Sequence, residues 1–158
     1  MRGEIKALLE MGLIRPSQSP FASPCMLVNK ADEGHRLVIN YSKINAQCYC
    51  HAFPIPRIDD LIDRVGQPKF LTKLDITKAY WNVKLDEDSN KYSAFVTGEQ
   101  RLKFLRLRFG LSGACSTFSR LVSNCLESCR EYTAGYFDDI LVHSDDWNSH
   151  LSYLNNVF

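Results

Sequence analysis

The stretch Ala134–Ser144 reads AGYFDDILVHS, with two adjacent carboxylates, Asp138 and Asp139, inside a β-prone apolar run. Tyr136 and Phe137 precede the acids and Ile140, Leu141 and Val142 follow, the pattern of a β-hairpin with its acids at the turn. Two like charges side by side in a half-buried turn repel and lose hydration, so either a cation sits there or one acid holds its proton. A third acid, Asp75, ends the apolar, partly alternating run from Phe70 to Leu74, which reads as a strand whose last residue leaves the core as a carboxylate. Three carboxylates from two strands suit Mg²⁺, which takes oxygen ligands, keeps several waters and shares its coordination with substrate phosphates. Two such ions about 3.5–4 Å apart stabilise the attacking and leaving oxygens of an in-line phosphoryl transfer. A bare Asp-Asp pair is more often a polar turn, because Asp is favoured there, so the surrounding chain has to decide.

The elements that must position these acids follow from periodicity. Residues 2–12 place Ile5, Leu8, Leu9 and Met11 on one side of a short helix. Three prolines, Pro16, Pro20 and Pro24, then make a loop or extended connector. Cys25–Lys30 and Arg36–Tyr41 read as a hairpin around the charged turn ADEGH. Arg57–Val65 puts Ile58, Leu61, Ile62 and Val65 at helical spacing, with Asp59, Asp60 and Asp63 as structural acids near its N-terminal part, where the helix dipole favours them. Lys91–Thr97 and Gln100–Phe109 read as a second hairpin, whose alternation changes face between Phe104 and Leu105 as at a bulge. That strand carries Arg101, Lys103, Arg106 and Arg108, which suit either a phosphate backbone or a solvated face. A helix capped by Ser112 or Ser116 is expected to run to about Arg130 and to set Cys125 and Cys129 on one face.

The 158 residues are 45% hydrophobic, enough for one domain with its own core. A net charge of +1 gives no global signature of nucleic-acid binding, so such a surface must come from local clusters. No apolar run approaches the roughly 18 residues that span a bilayer, and the N-terminus reads as no signal peptide, so the expectation is an intracellular protein, neither membrane-bound nor secreted. The six cysteines include no Cys-x-x-Cys pair, which argues for reduced thiols over zinc.

Residues 136–158, YFDDILVHSDDWNSHLSYLNNVF, resemble the Tyr-x-Asp-Asp region of reverse transcriptases, in particular of gypsy-type long-terminal-repeat retrotransposons, including the Trp147, His150 and Leu151 helix. The resemblance extends backwards, in the family's order, through LRFGLSGACSTF (Leu107–Phe118), LDITKAYW (Leu74–Trp81), FPIPRIDDLIDRVG (Phe53–Gly66) and IRPSQSPFASPCMLVNK (Ile14–Lys30). It implies an α+β reverse-transcriptase fold: an antiparallel palm sheet plus a fingers subdomain, thumb absent, from a Pol polyprotein. Residues 1–158 are then one domain fragment, 14–52 mainly fingers and 53–158 mainly palm with fingers segments.

By the same resemblance the activity is RNA-directed DNA polymerase, a nucleotidyltransferase working through two Mg²⁺ ions, with Mn²⁺ as a substitute. The catalytic set is Asp75, Asp138 and Asp139, and the metal set adds Ile76 to these three, with Asp139 the weaker or structural ligand. Nucleotide binding falls to Lys30, Arg36, Lys78, Ala79, Tyr80, Phe109 and Gly110, with Tyr80 beneath the sugar as the group that rejects a 2′-hydroxyl. Nucleic-acid binding falls to Arg101, Lys103, Arg106, Arg108 and Tyr136. The implied partners are an RNA or DNA template with primer, deoxynucleoside triphosphates, and the thumb, connection, RNase H and integrase parts of a polyprotein, with a cytoplasmic retroelement particle as location. The chain departs from the family pattern at His35-Arg36, at Asn40 and Ser42, at Arg108 where the family has proline, and at Gly113-Ala114-Cys115 where it has Asn-Ala-Pro. Two rivals remain open: an inactive retroelement remnant that binds nucleic acid weakly, and another two-metal enzyme such as a nuclease.

Overall fold

A computed structural model of the chain describes residues 1–29, 35–49 and 53–158. Its elements are α1 (Arg2–Glu10), β1 (Ile14–Pro16), β2 (Ser23–Asn29), β3 (His35–Ile39), α2 (Ser42–Asn45), α3 (Ile58–Val65), β4 (Phe70–Asp75), α4 (Glu87–Asn90), β5 (Phe95–Val96), β6 (Arg101–Phe104), α5 (Ala114–Cys125), β7 (Thr133–Tyr136), β8 (Asp139–Ser144) and α6 (Trp147–Val157). They fall into two compact units, Met1–Cys50 with Tyr80–Ala114, and His51–Ala79 with Cys115–Phe158.

The first unit holds a five-stranded sheet in the order β1-β6-β5-β2-β3. Its pairs are antiparallel except β2 with β5, where Ser23 and Pro24 run parallel to Phe95 and Val96. Ile5 and Leu8 of α1 join Leu37, Ile39, Tyr41, Phe95, Leu102 and Phe104 in one apolar cluster, while Leu9 and Met11 stay exposed. The expected long strand at 91–97 is only Phe95–Val96, because Lys91–Ser93 forms a 3₁₀ turn. There the buried Ser93 hydroxyl donates to the carbonyls of Asn90 and Phe104 and accepts from the Phe104 amide, doing the work of a strand's ladder. The change of face at Phe104 marks the end of β6. Beyond it Leu105 N–H donates to Leu13 and Leu107 N–H to Val83, so the chain leaves the sheet.

The second unit is built on a fully antiparallel sheet, β4-β8-β7. Strict alternation along β4 sends Phe70, Thr72 and Leu74 to one face and Leu71, Lys73 and Asp75 to the other. The first face is covered by α5 and α6. Gly135 of β7 meets α5 and the residue after it so closely that an added Cβ would lie 3.3 Å from Val122 and 3.2 Å from Leu126. The buried His150 of α6 bridges two strands, with Nε2 2.8 Å from Thr72 Oγ1 and Nδ1 2.9 Å from Ser144 Oγ. Asp146 caps α6 by accepting from Ser149 N–H, which draws its pKa below the usual carboxylate value. Contrary to expectation, α5 ends at Cys125, and a 3₁₀ turn Glu127–Cys129 buries Cys129 while Cys125 stays exposed. The tighter bond from Cys129 N–H to Leu126 and the Thr133 hydroxyl on the Cys129 carbonyl close the chain before another helical turn can form.

The five described cysteines are free thiols, and no described helix is long and apolar enough to cross a membrane. Replacing His150 by Ala removes the Thr72 hydroxyl's partner under α6, while Ser144 keeps its bond to the Asp146 carbonyl, so H150A should lose about 1–3 kcal/mol of stability, read as a lower urea midpoint at unchanged m-value.

Candidate active site

Register brings the acids together. In the β4–β8 ladder Asp75 stands directly opposite Asp139, and Leu74 opposite Ile140. Directly opposed residues of antiparallel strands have Cα atoms about 4.5–5.5 Å apart with side chains on one face. That face is the one opposite α5 and α6. The next acid is fixed by the backbone: Ile76 N–H donates to the Asp138 carbonyl at 2.8 Å. Because Tyr136 pairs with Asp139, the hairpin loop is only Phe137-Asp138, so Asp138 occupies the turn and Asp139 already belongs to β8. Sequence had put both acids in the turn.

The turn is strained. A two-residue hairpin loop needs positive φ at its first position, normally met by glycine, and here Phe137 adopts φ 52°. Lys78, three residues beyond Asp75, is the other described non-glycine residue with positive φ, at 53°. Each costs about 1–2 kcal/mol, so the strained backbone gathers beside the acids. Tyr136 lies edge-on to Phe137, ring centroids 4.7 Å apart, and both line a cavity of about 360 Å³ with Phe53, Arg64, Val122 and Arg130.

One residue that the sequence reading missed joins this group. Lys73, two positions before Asp75 and on the same face, places Nζ 2.8 Å from Asp139 Oδ2. The hydrogen bond to Asp139 and its charge raise the Lys73 pKa above the ordinary lysine value, and Asp75 and Asp138 add to the effect. All three carboxylates therefore act on one ammonium. Its signal in the sequence was the alternation of Lys73 with Asp75, but the diagonal partner could not be known without the register. Among the described residues no group of three or more His, Cys, Asp or Glu side chains is gathered so as to hold a metal ion. The donors present are carboxylate oxygens at the ends of adjacent strands, which fits a hard divalent ion bound by one or two carboxylates and completed by phosphates and water.

The remaining candidates lie mainly in the first unit. Tyr80 is buried, its ring centroid 4.2 Å from that of Phe109, which is itself 65% exposed. Gly110 follows with φ 95°, and its carbonyl accepts from Asn45 Nδ2 at 2.7 Å while Ser112 N–H donates to Asn45 Oδ1 at 3.0 Å. Arg108 turns inward: it donates to the Leu37 carbonyl and lies over the Phe104 ring at 4.5 Å. Arg101 donates to the Ser19 carbonyl at 2.6 Å and Lys103 to Asn90 Oδ1 at 2.7 Å, while Arg106 lies 3.5 Å from the Asn82 carbonyl. Arg36 is exposed on β3 opposite Val28. Lys30 lies outside the described residues. In the second unit Lys78 is exposed and Ala79 buried, with the Ala79 amide bonded to the Ile76 carbonyl.

Residues 28–158 match the family described as Reverse transcriptase (RNA-dependent DNA polymerase), and the chain belongs to that family. It is 32% identical to the Retrovirus-related Pol polyprotein from transposon 297 of Drosophila melanogaster, over 100% of this chain and 16% of that protein. To the polyprotein from transposon gypsy of the same species it is also 32% identical, over 99% of this chain and 16% of that protein. The crystal structure of native Prototype Foamy Virus Protease-Reverse Transcriptase superposes with a TM-score of 0.86 at 25% identity, over 97% of this chain and 20% of that one. The chain thus has the α+β reverse-transcriptase fold and spans about a sixth of the length of these transposon relatives.

The Asn45 side chain holds the segment after Phe109 from both sides. N45A should cost about 1–3 kcal/mol and speed hydrogen exchange at Ser112 well before the rest of the first unit.

Proposed function

We propose that this chain is the nucleotidyl-transfer part of a reverse transcriptase, adding deoxynucleotides to a primer 3′-hydroxyl on an RNA or DNA template. The observation that carries this reading is the opposition of Asp75 and Asp139 with the Asp138 carbonyl tied to Ile76, in a chain of the reverse transcriptase family. Asp75 and Asp138 would hold Mg²⁺, beside the main chain of Ile76 and with Asp139 in a lesser part. Divalent ions held there would supply charge neutralisation at the triphosphate and activation of the hydroxyl. The new bond joins the primer oxygen to the α-phosphorus as the hydroxyl proton passes to solvent, and the bond to pyrophosphate breaks.

Protein groups in such a transfer mainly position and neutralise. By the family pattern Lys30, Arg36, Lys78 and Ala79 take the triphosphate, and Tyr80 bars a 2′-hydroxyl. The packing of Tyr80 against Phe109 supports that role, since a steric barrier must itself be held still. Arg101, Lys103, Arg106 and Tyr136 are assigned to the nucleic acid, while Arg108, turned inward onto the Leu37 carbonyl, leaves that set. Backbone contacts of that kind position the duplex and leave selection to base pairing.

Purified protein should extend an oligo(dT) primer on poly(rA) with Mg²⁺ or Mn²⁺, a few nucleotides per encounter. D138N, which changes an exposed turn residue, should lower extension at least about 100-fold while the far-ultraviolet circular dichroism stays the same. Equal extension by wild type and D138N would remove the acids from the mechanism. No extension by a folded wild type would favour the inactive remnant.

A further inference from the structure

The direct opposition of Asp75 and Asp139 creates an expectation that the structure does not meet. Two carboxylates facing each other across one rung, with a third in the adjoining turn, form the raw material of a three-ligand cage. Yet no such cage is gathered among the described residues. Beside these acids stands Lys73, whose ammonium takes Asp139 Oδ2 at 2.8 Å on the same face of the sheet.

We propose that Lys73 is a positioning residue that withholds Asp139 from the divalent-ion site, leaving Asp75 and Asp138 as the working ligands until nucleotide phosphates complete the coordination. This rests on the metal-dependent nucleotidyl transfer proposed above. The geometry is suited to it. Lys73 sits opposite Leu141, so Asp139 is its diagonal cross-strand neighbour, a separation that a long side chain spans. Its Nζ also feels the charges of Asp75 and Asp138, so it offsets the mutual repulsion of all three acids. A divalent ion seeking Asp139 must first displace that ammonium, whereas one seeking Asp75 and Asp138 need not. The side chains of Lys73 and Asp139 are 61% and 37% exposed, so the pair contributes little to fold stability and its consequence lies in ion affinity. The device keeps the free protein from locking an ion into a closed carboxylate site, which favours ions arriving with the triphosphate.

The test is a titration of nucleotide-free protein with Mn²⁺ at low salt, followed by electron paramagnetic resonance of the free ion. K73M should bind Mn²⁺ about tenfold more tightly than wild type, because Asp139 is released to the ion and one nearby positive charge is removed. K73R keeps the ion pair and should match wild type. The tenfold gain should shrink to about twofold or less when K73M is compared with its parent in the D139N background. Unchanged affinity in K73M, or a gain of full size without Asp139, overturns the proposal. Primer extension by the same proteins separates the two readings. Extension by wild type without the K73M gain sinks the role of Lys73 alone, and an Asp139-dependent gain with no extension by any variant sinks the polymerase reading alone.

Discussion

Like charge held face to face is the condition on which the second unit is built. The register of β4 against β8 leaves Asp75 and Asp139 no choice but to share a rung, and like charges directly opposed across strands destabilise a sheet. Three features offset this. The Lys73 ammonium sits among the acids, the face that carries them is free of α5 and α6, and the opposite face is clamped by the His150 bridge between Thr72 and Ser144. Charge therefore gathers at the end of a face on which α3 also lies, its Ile58, Leu61, Ile62 and Val65 lining a groove with Leu71, Lys73, Ala134 and Leu141. A slip of one residue by β4 against β8 would turn Asp75 toward the helices and break its opposition to Asp139.

The turn obeys the same logic. A hairpin of only two loop residues keeps Asp138 within a backbone hydrogen bond of β4, and it does so with a phenylalanine in a conformation that glycine would occupy more easily. The side chain is retained despite the strain, standing against Tyr136 in the wall of the adjoining cavity. In the first unit, side chains hold a segment that carries no proline. Where prolines are absent around residues 108–115, Arg108 reaches the Leu37 carbonyl and Asn45 grips Gly110 and Ser112. Both are hydrogen-bond solutions to the problem of holding Phe109 beside Tyr80.

Much of this was legible in the residues. Alternation from Phe70 to Asp75, the helical spacing of Ile58, Leu61, Ile62 and Val65, and the apolar run around the paired acids each report local structure directly, and β4, α3 and the β7–β8 hairpin appear where they were expected. The misreadings have a common cause, which is that polar side chains intervened where only apolar periodicity had been counted. Ser93 substitutes for a strand, and Thr133 helps stop a helix before Arg130. The pairing of Lys73 with Asp139 was hidden for a different reason. It joins residues 66 apart in sequence (139 − 73), and only the strand register says which acid the lysine meets.

Nucleotidyl transfer by these acids requires that one ion site draw on the ends of β4 and β8 at once. The most direct check is a nuclear magnetic resonance titration of nitrogen-labelled protein with substoichiometric Mn²⁺, whose unpaired electrons broaden nearby amides. The amides of Asp75 and Ile76 should broaden together with those of Phe137, Asp138 and Asp139, at the same low Mn²⁺ concentration and ahead of those of Asp59, Asp60 and Asp63 on α3. Broadening that begins on α3, or that reaches residue 75 and residues 138–139 at separate concentrations, would contradict a shared ion site.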